Sequence, residues 1–165
     1  MNQRTVINEN GYGVVYTFPG DCGDPQRTRN AVRSMILEGD EQELGRRELP
    51  GSSLAPSVAR SFIEETLNRY HLDEVLEAAL LLTSEAVTNA VTHAHTSSTL
   101  SVRIIGDVIR ISVTDMGHGR IVVRTAPPQE SGGGRGLFII DQMALRWGTQ
   151  HTDWGTEIWF DLPLP

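Results

Sequence analysis

Apolar and polar positions along this chain fall into short stretches whose period changes several times. Residues 12–18 (YGVVYTF) form a brief β-like run, closed by Pro19-Gly20 and the turn-rich DCGDP at 21–25. Asp24-Pro25 has the form of an N-cap followed by proline at the first helical position, predicting a helix over 26–37. The acidic, turn-prone EGDEQELG at 38–45 reads as a linker, which divides the chain into a variable extension, 1–45, and a main domain, 46–165. Residues 46–50 predict an edge strand, and Ser53 or Ser57 is expected to cap a helix reaching about residue 70, with Val58, Phe62, Ile63 and Leu67 as its apolar stripe. From 72–73 a longer helix is predicted to about residue 94, burying Val75, Leu76, Ala79, Leu82, Ala86 and Ala90. Strands are predicted at 99–105 and 108–114, joined by Gly106-Asp107, a strong two-residue hairpin signal. A long loop over 115–134 follows, then a helix at 137–145 and strands at 146–151 and 156–162. No internal repeat interrupts this order. Helix, helix, hairpin, loop, helix, hairpin predicts an α+β sandwich with helices on one face of a mixed, mainly antiparallel sheet.

Composition narrows the functional classes. A chain of 165 residues is on the scale of one domain, able to bury roughly two thirds of its unfolded surface without disulfides or structural metal. The net charge of −7 argues against direct nucleic-acid binding, since no basic stripe supplies the phosphate-neutralising term. Cys22 is the single cysteine, so neither an intrachain disulfide nor a cysteine-based zinc site is available. No apolar run approaches the ~18 residues of a membrane span, the longest candidate, 75–82, being broken by Glu77, and the N-terminus lacks a signal-peptide layout. A cytoplasmic protein without a membrane partner is expected. All 14 basic residues are arginine, which excludes lysine-dependent phosphate chemistry.

Three polar segments carry candidate chemistry. In SEAVTNAVTH at 84–93, Glu85, Asn89 and His93 recur every fourth residue along one helix face, bordering a stripe that should be buried. Polar groups set against a core cost free energy unless partnered, so the row points either to a ligand or to a satisfied, solvated helix edge. Asp115 to Gly119 (DMGHG) follows a strand directly. Gly117 and Gly119 would let the backbone turn tightly, leaving one buried carboxylate suited to the exocyclic amine of adenine; an ordinary strand-ending turn is the plain alternative. GGGRGL, ending in Gly134, Arg135, Gly136 and Leu137, precedes a helix, where free N–H groups and close backbone approach favour phosphate. Neither a P-loop nor a dinucleotide fingerprint fits it. Gly155-Thr156 opens the last strand.

The order of these segments resembles the GHKL superfamily of gyrase, heat-shock chaperone, histidine kinase and mismatch-repair ATPases. E-x-x-x-N-x-x-x-H lies on a helix, D-x-G-x-G follows a strand, G-x-G-L precedes a helix, and Gly-Thr enters a final strand, over about residues 46–162. ELPGSSLAPSVARSFIEETL at 48–67 and RGLFIIDQMALRWGT at 135–149 are similar to the anti-sigma regulatory serine/threonine kinases, in particular their actinobacterial branch. The resemblance implies a two-layer sandwich of the GHKL (Bergerat) type binding ATP and Mg²⁺. It implies Glu85 as general base toward a protein serine, Asn89 as Mg²⁺ ligand, and His93 as support for the phosphates or lid. Asp115 would read adenine with Thr156 assisting, Gly117 and Gly119 would pass close to the base, and Gly134, Arg135, Gly136 and Leu137 would form the phosphate-side box, with 119–133 as lid. The implied partners are an anti-anti-sigma (STAS-like) protein and a sigma factor, with a homodimer as a further possibility. A module that uses ATP only to shape a protein-binding surface is the alternative. A two-component histidine kinase fits less well, because His71 falls in a short turn between helices rather than on a long phosphoacceptor helix.

Overall fold

The computed structural model describes residues 2–7, 13–18, 41–94, 96–116, 135–152 and 155–165. The expected helix at 26–37 and nearly all of the expected loop and lid lie outside these residues. Strand β2, Gly13–Phe18, matches the run expected at 12–18, and it pairs antiparallel with a strand not anticipated, β1, Asn2–Ile7. The sequence of β1, NQRTVI, holds apolar residues only at its end, so it has no alternation to read.

The main sheet has five strands in the order β3-β4-β5-β7-β6, with β3 Glu41–Leu49, β4 Ser98–Ile105, β5 Val108–Asp115, β6 Arg146–Thr152 and β7 Gly155–Pro163. Each neighbouring pair is antiparallel, so among the described residues the sheet is not mixed as expected. β3 begins at Glu41, within the segment read as linker, and crosses the 45/46 division drawn from the sequence. A bulge between Glu43 and Gly45 drops Leu44 into the core, and Gly45 lies so close to Phe62 that an added Cβ would stand 3.0 Å from its ring. The β4–β5 hairpin turns at Gly106-Asp107 as predicted, with Gly106 at φ 58.

Among the described residues, three helices cover one face: α1 Ala55–Arg69, α2 Leu76–Ala94 and α3 Arg135–Met143. The alternation of β5 sends Ile109, Ile111 and Val113 to that face. Their ladder partners Leu100, Val102 and Ile104 on β4 and Ile158, Phe160 and Leu162 on β7 join them in the core. Against this floor pack Ala59, Phe62, Ile63 and Leu67 of α1, Ala79, Leu82, Ala86, Val87 and Ala90 of α2, and Leu137 and Ile140 of α3. Burying each large aliphatic side chain contributes about 1.5–3 kcal/mol, which holds the two layers together.

Details of the helices differ from expectation. Neither Ser53 nor Ser57 caps α1: the N-cap is Leu54, without a side-chain cap bond, with a proline in the first turn. The Leu54 N–H instead donates to Ser52 Oγ at 3.4 Å. α1 ends in a Schellman-type turn, Leu72 N–H donating to the Leu67 carbonyl at 3.0 Å, with His71 at φ 55. His71 thus occupies the expected inter-helix turn. A 3₁₀ turn, Asp73–Val75, leads into α2. Contrary to the sequence expectation, Asp73–Thr92 is long and apolar enough by length and composition to cross a membrane. Its apolar side is taken up by the core just described, while Glu77, Glu85, Thr88 and Asn89 face outward or to the helix edge.

Candidate nucleotide site

α2 carries Glu85 and Asn89 one turn apart at its edge, both half-buried, beside the fully buried Ala86 and Ala90. His93 lies in the last turn of α2, and its side chain is outside the described residues. The neighbouring Ser84 hydroxyl is satisfied locally, donating to the Leu80 carbonyl at 2.7 Å.

α3 brings its first turn directly onto Glu85. A Cβ built on Gly136 would lie 2.8 Å from Glu85 Oε2 and 3.3 Å from Glu85 Cβ. Any side chain at 136 would force the Glu85 carboxylate to shift from this position. Leu137, next along, is 3% exposed and anchors that turn in the core. Hence Leu137, read from the sequence as part of a phosphate-side box, is a core residue that fixes where Gly136 sits. Arg135 begins α3, while Gly134, Gly117 and Gly119 lie outside the described residues, as does the Arg135 side chain.

The second half of the site is built from the sheet. Asp115 ends β5 and stands directly opposite Thr156 on β7, and both are buried, at 6% and 1% exposure. Directly opposed residues share a face, and Asp115 continues the phase of Ile109, Ile111 and Val113, so both polar side chains lie on the helix-covered side. Both make polar interactions within the chain. Gly155 is required here, since its Cβ would fall 1.7 Å from the Asp115 carbonyl oxygen.

Ser98, opposite Asp115 on its other flank in β4, was not singled out from the sequence. It is 3% exposed, and its Oγ has no hydrogen-bond partner. The signal was present in STLSVRII, where Ser98 holds the inward phase of Leu100, Val102 and Ile104 as the one hydroxyl among aliphatic side chains.

Glu85 and Gly136 meet within the helix layer, and Asp115, Thr156 and Ser98 form a row on the sheet face that this layer covers. A buried carboxylate at a strand end and a glycine at the start of a helix are groups of the kind that suit a nucleotide. The donor set suits Mg²⁺ in the way nucleotide sites do. Asn89 offers one amide oxygen, and the remaining positions would go to phosphates and water. Among the described residues no group of three or more His, Cys, Asp or Glu could hold a metal by protein ligands alone.

A two-layer sandwich of this topology with these paired groups defines an ATPase domain of the histidine kinase type. The family profile for the histidine kinase-like ATPase domain matches residues 52–162, and the chain belongs to that family. Among solved structures it is similar to the RsbU and RsbW domains of Rv1364c from Mycobacterium tuberculosis, at 21% identity and a TM-score of 0.53. That likeness covers 73% of this chain and 32% of the other, and at such identity it speaks for the fold alone. No match is found among curated proteins.

Proposed function

We propose that this protein is an ATP-dependent protein serine/threonine kinase of the anti-sigma regulatory kind, similar to the actinobacterial branch, acting on a serine of an anti-anti-sigma (STAS-like) partner in the cytoplasm. The observation that carries the reading is the carboxylate of Glu85 set against the first turn of α3, where a γ-phosphate would be held. A pure nucleotide-dependent binding module has no need of a base at that place.

In the proposed reaction the partner's serine oxygen attacks the γ-phosphorus as the bond to the β–γ bridging oxygen breaks and ADP leaves. Glu85 accepts the serine proton, a contribution of about 10²–10⁴-fold for a well-placed base. Asn89 would hold Mg²⁺, which neutralises phosphate charge when bound. Asp115, assisted by Thr156, accepts from the adenine amine. Gly136 and its neighbours at the start of α3 direct backbone N–H groups toward the phosphates. His93, Gly117, Gly119, Gly134 and Arg135 keep the roles the resemblance implies. A sigma factor as second partner and a homodimer are part of the same proposal.

The test is transfer of labelled γ-phosphate to STAS-like proteins of the same organism. Wild type should label a serine, and Glu85→Ala should lower the rate by at least about 100-fold while leaving ATP affinity within about threefold. Absence of transfer from wild type, with ATP-dependent partner binding retained, would establish the binding-module reading instead.

A further inference from the structure

Ser98 holds a position that packing alone does not explain. Its inward neighbours on β4 are aliphatic and fully buried, and an alanine would fill the same place in the ladder without an orphaned hydroxyl. A buried hydroxyl with no partner is a standing cost to the folded state, so its presence calls for a partner that arrives later. Two features name that partner's surroundings. Ser98 and Thr156 flank Asp115 from adjacent strands in one row across the sheet, and all three side chains lie on the helix-covered face. Directly opposed residues of an antiparallel pair have Cβ atoms about 4.5–5.5 Å apart, a gap that a serine hydroxyl and an aspartate carboxylate close by rotation about χ1.

We propose that Ser98 is a positioning residue for nucleobase recognition: once the base is seated, its hydroxyl donates a hydrogen bond to the Asp115 carboxylate. The inference rests on the reading of Asp115 as the group facing the adenine amine. With Ser98 donating to one carboxylate oxygen, the other is held as acceptor toward the exocyclic amine. Charge-assisted donation of this kind fixes orientation as well as adding affinity. The hydroxyl left unsatisfied in the free protein thereby gains its bond only when adenine is present, which turns an orphaned group into discrimination for a 6-amino purine.

The test compares wild type with Ser98→Ala in the full chain, by calorimetric titration of Mg-ATP and of Mg-purine riboside triphosphate, which lacks the amine. The melting temperature of the nucleotide-free protein is recorded alongside. The expected result is an ATP dissociation constant raised about tenfold, affinity for the purine analogue moved less than twofold, and a melting temperature equal to or above that of wild type. Equal weakening of both nucleotides with a lowered melting temperature would make Ser98 a packing residue and overturn the proposal. So would unchanged ATP affinity in a protein whose wild type prefers ATP to the analogue. Wild type that binds both nucleotides equally would instead remove the adenine-reading role of Asp115, and the proposal with it.

Discussion

At the residue scale, Gly136 and Glu85 make the sharpest demand. A glycine inside a helix ordinarily costs about 0.5–1 kcal/mol relative to alanine, so Gly136→Ala should by itself favour folding. Here the new methyl meets Glu85 Oε2 at 2.8 Å, and the far end of that flexible side chain can move aside. The expected outcome is a melting temperature within about 2 °C of wild type and a phosphotransfer rate lower by on the order of 100-fold, because a carboxylate displaced by an ångström no longer meets the serine proton. Thermal melts and labelled-phosphate transfer measure the two halves, and an unaltered rate would remove Glu85 from the reaction. Each member of this pair was readable from the sequence in its own motif, but their contact was not. It arises from α3 folding back across α2, which no local spacing records. Asp115 and Thr156 were legible as motif residues, whereas Ser98 belongs to no motif: the phase of its strand marks it as inward-facing, and only its ladder pairing sets it beside Asp115.

At the element scale, amphipathic periodicity placed the β4–β5 hairpin within one residue and the ends of α1 and α2 within one or two, because these elements each bury one continuous face. α2 starts at Leu76 rather than 72–73, since a 3₁₀ turn, Asp73–Val75, precedes it. β3 was mistaken for a linker along its first half for a physical reason. As an edge strand it carries Glu41, Glu43, Arg46, Arg47 and Glu48, and its bulge breaks the alternation after Leu44. The outer face of the sheet was equally hidden, since its pairings join strands distant in sequence. There Asp161, with no side-chain exposure, accepts from Arg110 Nε at 2.7 Å and Arg110 Nη2 at 2.9 Å, and Arg146 approaches at 3.2 Å. The Arg110 guanidinium also lies 3.9 Å over the Trp159 ring. Hydrogen bonding to Asp161 raises the Arg110 pKa above its ordinary value, against the lowering effect of burial, so this arginine stays charged. Asp161→Ala strips the half-buried cation of its fork partner and should cost ~3 kcal/mol, the low end for a broken buried pair because Arg110 keeps some solvent. Denaturant unfolding with an unchanged slope and a lowered midpoint checks it, and a loss below about 0.5 kcal/mol would mean that water replaces the carboxylate at no cost.

At the scale of the whole molecule, the proposed site draws on several elements: α2 for Glu85 and Asn89, α3 for Gly136, and β5 with β7 for Asp115 and Thr156. A nucleotide touching all of them ties the helix layer to the end of the sheet, so binding free energy becomes folding free energy. With free Mg-ATP at 100 times its dissociation constant the gain is about 2.7 kcal/mol. For a chain of this size that corresponds to a rise in melting temperature of roughly 5–11 °C. Omitting Mg²⁺ should shrink the rise in wild type, because the phosphates then reach Asn89 without the ion that joins them. Asn89→Ala should give the smaller rise with or without Mg²⁺, since the amide oxygen that made the metal matter is gone. If the magnesium dependence of the shift survived in Asn89→Ala, the metal would be held elsewhere, and the assignment of the α2 edge to the phosphate end of the nucleotide would have to be given up.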